Sequence, residues 1–272
     1  MLKLGIIGYG FVGKAMHTTF EHNSELTIVD PRYTDYTVSD LKDKDLVFIC
    51  LPAPTLDDGT VDTTLIVDAM QLLSGIKYNG IVVVKSTLPP TDVQTLYDVF
   101  MHEPNLLRYV YSPEFLRETS WEKDAVNPER IVLAGNFTDC KQVEEWYNNH
   151  SHVPRHTRFM LADYKEAALL KYAANAFLAT KVVFMNQLQQ LYTDILGLPH
   201  PTDWKAFIDM MSTDMRIGHS HMQVPGPDGK YGYGGSCFPK DVKAMNGFDK
   251  LDRLTLLKEA ELANTKIRLG NK

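Results

Sequence analysis

Cys237 lies in the stretch Gly234-Gly235-Ser236-Cys237-Phe238-Pro239-Lys240-Asp241. The two glycines let the backbone come close to a ligand, and a Pro just after the Cys is favoured in the first turn of a helix. N–H groups at a helix start point outward and favour negative charge, so the position favours a thiolate. Lys240 adds positive charge nearby. Asp241 is four residues on and shares a helical face with Cys237 if the helix begins here. A thiolate beside a carboxylate is a nucleophile with an acid/base partner. The competing reading is a buried cysteine at a tight turn; the company of glycines, Pro, Lys and Asp favours the reactive one.

A second group stands at the other end of the chain. Leu2 to Ile7 reads as a short buried strand, Gly8-Tyr9-Gly10-Phe11-Val12-Gly13 follows directly, and a helical stretch runs on to about Glu21. Leu26 to Val29 is a second strand that ends at Asp30, 22 residues after Gly8. In this setting the glycines have separate tasks. Gly8 makes the tight turn, Gly10 lets a pyrophosphate approach the helix N-terminus, and Gly13 lets helix and strand pack closely. Asp30 can accept hydrogen bonds from ribose hydroxyls and would repel a 2′-phosphate, which favours NAD over NADP.

The elements that must position these groups follow from pattern. Leu46 to Leu51, Ile81 to Val84, Arg108 to Tyr111 and Ile131 to Ala134 read as further strands alternating with helical stretches. This predicts an α/β fold, a Rossmann-type doubly wound, mostly parallel sheet. Its site loops should lie at the C-terminal strand ends. Three loops fit: Pro52-Ala53-Pro54-Thr55, Ser86-Thr87-Leu88-Pro89-Pro90 and Ser112-Pro113-Glu114-Phe115-Leu116-Arg117-Glu118. Each reads equally as ordinary turn chemistry.

Ala162 to Leu196 holds neither Pro nor Gly. Its 35 residues would extend about 52 Å, which suggests a spine between domains or a dimer contact, with Gly197 placed to end it. Lys171 and Asn175 share a face within it, among Ala167, Ala168, Ala173 and Ala174. Alone, the pair reads as two solvated side chains on an exposed stripe. Trp204 to Ser212 and Leu254 to Leu269 read as helices. Between them a Gly- and Pro-rich stretch from Arg216 through Gly234 reads as a ligand-wrapping loop. The expected division is a dinucleotide-binding domain over 1–161 and, over 162–272, the long helix with a small all-helical domain carrying Cys237.

Composition bounds the rest. At 272 residues, 44% hydrophobic and 23% charged, the chain is an ordinary globular one with length for about two domains. A formal net charge of −6 and the lack of a basic run speak against a nucleic-acid partner. Cys50, Cys140 and Cys237 are odd in number and far apart, with no CxxC spacing, which fits a reducing cytoplasm. The start reads as too short and glycine-broken for a signal peptide, and no membrane span is expected. His150, His152 and His156 lie in a polar stretch without supporting ligands and read as solvated loop residues; no metal site is expected.

These residues together resemble the UDP-glucose/GDP-mannose dehydrogenase family, the nucleotide-sugar 6-dehydrogenases. The likeness runs in family order through Gly8 to Gly13, Lys85-Ser86-Thr87-Leu88-Pro89, Ser112 to Glu118, Lys171-Tyr172-Ala173-Ala174-Asn175-Ala176-Phe177, Arg216-Ile217-Gly218 and Gly234 to Asp241. The detail from Arg216 to Asp241 looks most like the UDP-glucose type. The resemblance implies oxidation of a primary alcohol to a carboxylate with two NAD and one water. Cys237 would hold the aldehyde as a thiohemiacetal and then a thioester. Lys171 would act on the sugar oxygen as base or electrostatic support, and Asn175 would hold the same oxygen or a water. Thr87 and Asp241 would handle water, and Glu114 would serve thioester hydrolysis.

The resemblance also implies cofactor contacts at Gly8, Tyr9, Gly10, Phe11, Val12, Gly13, Asp30, Pro52, Thr87, Glu118 and Lys240. Substrate would meet Glu114, Phe115, Leu116, Lys171, Asn175, Tyr233, Gly234, Cys237 and an Arg216 that reaches across a homodimer. Ala53 stands where the family usually has Thr, and the turn after Pro90 lacks the common Gly. Relatives continue with a third, nucleotide-closing domain of over ~100 residues, a typical domain size, which the sequence does not include. Two other readings remain: a two-electron β-hydroxyacid-type dehydrogenase, which has no need of Cys237, and a non-catalytic, NAD-binding, dimerising remnant.

Overall fold

The computed structural model describes residues 1–102, 106–117, 120–197 and 201–270. The chain divides into two compact units, one of residues 1–56 and 61–171, the other of residues 57–60 and 172–272.

Short apolar runs buried on both faces are what the interior strands of a parallel sheet require. The first unit is built on four of them: β1 (Leu2–Ile7), β3 (Leu46–Ile49), β4 (Ile81–Val84) and β5 (Arg108–Tyr111). With β2 (Ser24–Val29), β6 (Arg130–Gly135) and β7 (Arg158–Ala162) they form one sheet in the order β2-β1-β3-β4-β5-β6-β7. Every pairing is parallel except β5 with β6. Successive side chains point to opposite faces, and the core divides accordingly. Ile7, Val47, Val82 and Tyr109 pack with Ile66 and Met70 of α2 (Thr64–Gly75) and with Val93 and Leu96 of α3 (Pro90–Phe100). Ile6, Phe48, Val83 and Val110 pack with Met16 and Phe20 of α1 (Phe11–Phe20) and with Val143 and Tyr147 of α5 (Phe137–His150). A short α4 (Trp121–Val126) lies against α1. The result is the expected doubly wound α/β layer. β2 and β3 flank β1 on opposite sides, which sets the ligand crevice outside the C-terminal ends of β1 and β3.

β7 is absent from the sequence reading. It is an edge strand, half-exposed along its length, and so lacks the buried apolar run that marks the interior strands. Ala162, read as the start of the long helix, instead ends β7 opposite Ala134. The helix α6 (Tyr164–Leu196) begins after Asp163 through a reciprocal cap. The Lys165 amide donates to Asp163 Oδ1 at 2.8 Å, and the Asp163 amide donates to Glu166 Oε2 at 3.1 Å. Gly197 follows at φ +82°, as its terminating role demands.

Among the described residues the second unit contains helices and loops only: most of α6, then α7 (Pro201–Ser212), α8 (Phe238–Phe248) and α9 (Thr255–Arg268). Its core gathers Met185, Trp204, Ile208, Met222 and Val224, with Tyr192 and Phe207 packed beside Trp204. By length and composition alone α6 could cross a membrane, with a mean hydropathy of 1.3 over its most apolar window. Its buried polar residues are instead satisfied by protein groups: Lys171 by Glu114, Asn175 by Asp241 and Asn186 by the Val182 carbonyl.

Candidate active site

In the first unit the loop Gly8–Gly13 joins β1 to α1, and its glycines are needed for three different reasons. Gly8 has φ +87°, and a Cβ there would stand 2.8 Å from the Cys50 carbonyl oxygen. Gly13 would place a Cβ 2.1 Å from the Gly8 carbonyl oxygen, so helix and turn touch through backbone. Gly10 would place a Cβ against nothing within 4 Å. Its missing side chain leaves open space in front of α1, whose N-terminus has no side-chain cap. Uncapped amides facing open space suit an anion. Tyr9 fills the loop, and Phe11 and Val12 open the helix, half-buried.

Asp30 ends β2 beside this loop. Its Oδ2 accepts from the Tyr9 amide at 2.8 Å, and its Oδ1 accepts from the Arg32 amide at 3.0 Å and from Arg32 Nε at 3.3 Å. Burial opposes the charge on Asp30. The Arg32 guanidinium and the two amides outweigh that cost and hold its carboxyl below the ordinary value. A carboxylate fixed at the end of β2 fits a ribose.

The ends of β3, β4 and β5 carry the other loops. Pro52 is exposed after β3; Ser86 and Thr87 are buried after β4, where the Ser86 hydroxyl donates to the Leu51 carbonyl at 2.6 Å. After β5, Glu114 is buried. Its Oε1 accepts from Lys171 Nζ at 3.4 Å, and its Oε2 accepts from the Leu116 amide at 2.5 Å. The Phe115 ring lies 5.5 Å from the Lys171 ammonium. Glu118 lies outside the described residues.

A second amine was missed in the sequence. Lys85 is buried directly after β4, and its Nζ donates to Ser112 Oγ at 3.1 Å. Burial pushes its ammonium down to about 8; Cys50 and Glu114 oppose that fall and Lys171 adds to it. A Lys that continues the apolar run Ile81 to Val84 was the available signal.

In the second unit Cys237 is the N-cap of α8, with Pro239 in the first turn, as the sequence predicts. It is half-buried, with Sγ 3.6 Å from Ser236 Oγ. The Asp241 amide donates to the Cys237 carbonyl at 3.0 Å, closing the first turn. The Asp241 carboxylate is buried, and it accepts from Asn175 Nδ2 at 2.6 Å and from Lys240 Nζ at 2.5 Å. Lys171 and Asn175 are 2% and 7% exposed, so the solvated-stripe reading of that pair does not hold. Tyr233 is buried in the loop before Cys237, and Gly234 packs its backbone on Arg268. Arg216 projects to solvent, paired with Asp214 at 2.6 Å.

The other two cysteines are different in kind. Burial pushes the Cys50 thiol up to about 12 and the Cys140 thiol up to about 11. They are unreactive core residues. His150 ends α5 and is not in a loop. His152 meets His22, 130 residues away, with ring nitrogens 2.9 Å apart. The two exposed rings and Glu21 are close enough to hold a cation. The two imidazoles hydrogen-bond to each other here, one ring nitrogen donating and the other accepting.

Residues 32–151 match the NAD binding domain of the UDP-glucose/GDP-mannose dehydrogenase family, and residues 165–266 match that family's central domain. The chain belongs to this family. Its cofactor is NAD, in keeping with the open Gly10 and the anchored Asp30. Among curated relatives, the UDP-glucose 6-dehydrogenase of Rickettsia felis is 30% identical over 216 residues, 79% of this chain and 46% of that protein. UDP-glucose 6-dehydrogenase YwqF of Bacillus subtilis is 31% identical over 210 residues, 75% of this chain and 44% of that protein. The chain thus spans about half the length of the curated relatives it matches. Of solved structures, a UDP-glucose dehydrogenase from Pyrobaculum islandicum superposes with a TM-score of 0.77 at 24% identity, covering 99% of this chain and 68% of that one. A 3-hydroxyisobutyrate dehydrogenase from Mycobacterium tuberculosis superposes at 0.69 and 15% identity, covering 98% and 93%. Both show the shared fold. For this member of the family, Lys85 joins Glu114 and Lys171 as a third buried charge-bearing group near the β4 and β5 ends.

Proposed function

We propose that the chain oxidises a nucleotide sugar by four electrons, UDP-glucose to UDP-glucuronate, with Cys237 carrying the substrate between the two oxidations. The observation that carries this reading is the setting of Cys237: a half-buried thiol capping α8, one turn from a buried carboxylate held by Asn175 and Lys240. A single oxidation of an alcohol has no use for such a thiol.

NAD, held at Gly8 to Gly13, Asp30, Pro52 and Thr87 with Glu118 and Lys240 as further contacts, supplies the hydride acceptor, so that one primary alcohol, two NAD⁺ and one water become one carboxylate, two NADH and three protons. Lys171, set against Glu114, takes the hydroxyl proton or supports the alkoxide. The Cys237 thiolate adds to the aldehyde carbon, and protonation of the resulting oxyanion gives the thiohemiacetal. Loss of a hydride and of the hydroxyl proton leaves a thioester. Thr87 and Asp241 orient water, Asn175 holds the substrate oxygen, and Glu114 accepts the water's proton. The carbon–sulfur bond then breaks, with the thiolate as leaving group. Phe115, Leu116, Arg216, Tyr233 and Gly234 are assigned to substrate binding, the aromatic and backbone groups to the sugar and the guanidinium to phosphate.

The partner is a second copy of the chain. α6 and α9 leave a groove of about 690 Å³ whose apolar wall includes Phe177, Phe184, Leu256 and Leu262, all exposed. A two-fold contact would cover it. Three free cysteines support a reaction in a reducing cytoplasm.

Purified chain with UDP-glucose and excess NAD tests the reading. Two NADH per sugar, with carboxylate formation abolished by Cys237→Ala, supports it. One NADH per substrate, unaffected by that change, overturns it in favour of a two-electron β-hydroxyacid-type oxidation. The match to 3-hydroxyisobutyrate dehydrogenase along nearly its whole length supports that second reading at the level of fold. NAD binding without turnover of any nucleotide sugar points to a non-catalytic dimerising protein.

A further inference from the structure

The glycine-rich loop before Cys237 is gripped by three side chains from two helices. On α9, Asn264 pairs with both backbone groups of Tyr233: its Oδ1 accepts the Tyr233 amide at 2.8 Å and its Nδ2 donates to the Tyr233 carbonyl at 3.1 Å. Arg268, one turn on, donates Nε to the same carbonyl at 2.9 Å, and its second arm reaches Asp228 at 2.8 Å, back in the same loop. On α6, Asn186 accepts the Gly232 amide at 2.9 Å and is itself held through Nδ2 to the Val182 carbonyl at 2.8 Å. Asn186 and Asn264 are buried, so these bonds face little competition from water.

The glycines of the loop answer to this grip. A Cβ on Gly232 would stand 2.5 Å from Asn264 Oδ1, and one on Gly234 would stand 1.8 Å from Arg268 Nη2. The space that Gly234 leaves is filled by a protein guanidinium. From the gripped residue the contact continues to the thiol: the Tyr233 and Phe238 rings meet edge to face, centroids 6.2 Å apart, and Phe238 is the first residue of α8 after its Cys237 cap.

We propose that Asn264, with Arg268 and Asn186, is a positioning device that fixes the loop 226–236 and through it the Cys237 thiol. Asn264 and Arg268 touch backbone and Asp228 but no reacting atom. They act by holding the nucleophile where the aldehyde carbon must be met, and a displacement of about 1 Å at such a point costs on the order of 10²-fold in rate. The proposal deepens the function proposed above: loss of the grip affects the second oxidation, which needs Cys237, and spares the first, which does not.

The test uses the full chain and the variants Asn264→Ala and Arg268→Lys. The second keeps the charge on Asp228 but loses the planar fork. Two readouts are taken for each. The first is the pH profile of Cys237 alkylation by iodoacetamide, read by peptide mass; Cys50 and Cys140 are buried and stay silent. The second is the ratio of NADH to carboxylate from UDP-glucose, with free aldehyde trapped by hydroxylamine. The expected result is a shifted alkylation profile in both variants. Carboxylate formation falls at least about tenfold more than the first NADH, and trapped aldehyde appears. An unchanged profile and an unchanged ratio in Arg268→Lys overturn the proposal even if Asn264→Ala fails to fold. The alkylation readout needs no sugar nucleotide. A wild-type chain that turns over no nucleotide sugar would therefore defeat the proposed reaction and leave the grip to be judged by the thiol alone.

Discussion

The two units hold their chemistry in opposite ways. In the first, Gly8 stands directly after β1, and Thr87 and Glu114 stand three residues past the ends of β4 and β5. The backbones of these strands are locked in a sheet, and the residue type at each strand end decides what the site can do. In the second there is no sheet among the described residues. Cys237 is placed by a helix cap, a buried carboxylate and side chains that reach in from far along the chain. A sheet positions groups cheaply and from local sequence. A helical unit needs long-range polar contacts, each of which is a separate point of failure.

The largest effect should come from breaking the second unit alone. Cys237→Ala removes the nucleophile. Carboxylate formation should fall by on the order of 10³-fold or more, while NAD affinity and the first NADH are retained. Stopped-flow absorbance at the NADH band with product quantification checks this. Loss of NAD binding as well would show that the two regions are not separable.

Next come two glycine changes that divide fold from ligand in the first unit. Gly13→Ala forces a Cβ to 2.1 Å from a backbone oxygen. It should destabilise the chain by about 3 kcal/mol, at the upper end for overpacking. Gly10→Ala meets no protein atom within 4 Å and should leave Tm unchanged. It should nonetheless weaken NAD at least about tenfold, about 1.4 kcal/mol. Thermal melts and NAD titrations of both variants decide it; unaltered NAD affinity in Gly10→Ala would remove that loop from the pyrophosphate site.

Legibility in the sequence follows the same division. The strands β1, β3, β4 and β5, the Gly8 to Gly13 turn and Asp30 were readable because each is specified within about 30 residues of chain, by a buried run, a turn and a terminal carboxylate. β7 was not, because an edge strand exposes the side chains that would otherwise mark it. In the second unit the helix cap at Cys237 was readable from Pro239 and the glycines. What holds it was not, since Asn175 meets Asp241 across 66 residues and Asn186 meets Gly232 across 46. The burial of Lys171 and Asn175 was hidden for the same reason: periodicity shows that they share a face, and only the fold shows that the face is covered.

Lys85 tests the sheet region by pH. Burial lowers its folded value to about 8, below the unfolded value of about 10.4. Between the two the unfolded chain holds more protons than the folded one, so stability rises with pH across that window. Below it the buried ammonium is a standing cost. Lys85→Met should therefore raise stability at pH 7 by on the order of 2 kcal/mol and abolish the rise above pH 8. Urea denaturation at pH 7 and pH 10 measures both; a variant less stable at pH 7 would mean that the Ser112 contact outweighs the desolvation.

Asp30 gives the smallest effect and the opposite sign. Burial works against its charge, but Arg32 and two amides lower its folded value below the unfolded value of about 3.9. The stability it contributes is fully present above that pH and is lost as pH falls through the folded value. Asp30→Asn should thus be less stable than the parent by a constant margin from pH 7 to about pH 5, and the margin should narrow as pH falls below the unfolded value. In the same variant the repulsion of a 2′-phosphate is gone, so the preference for NAD over NADP should narrow. The two results are independent. A margin that narrows without any change in cofactor preference would mean that Asp30 organises the Gly8–Gly13 loop through the Tyr9 amide and does not itself read the ribose. The strand end would then be acting as the second unit does, by holding another residue in place.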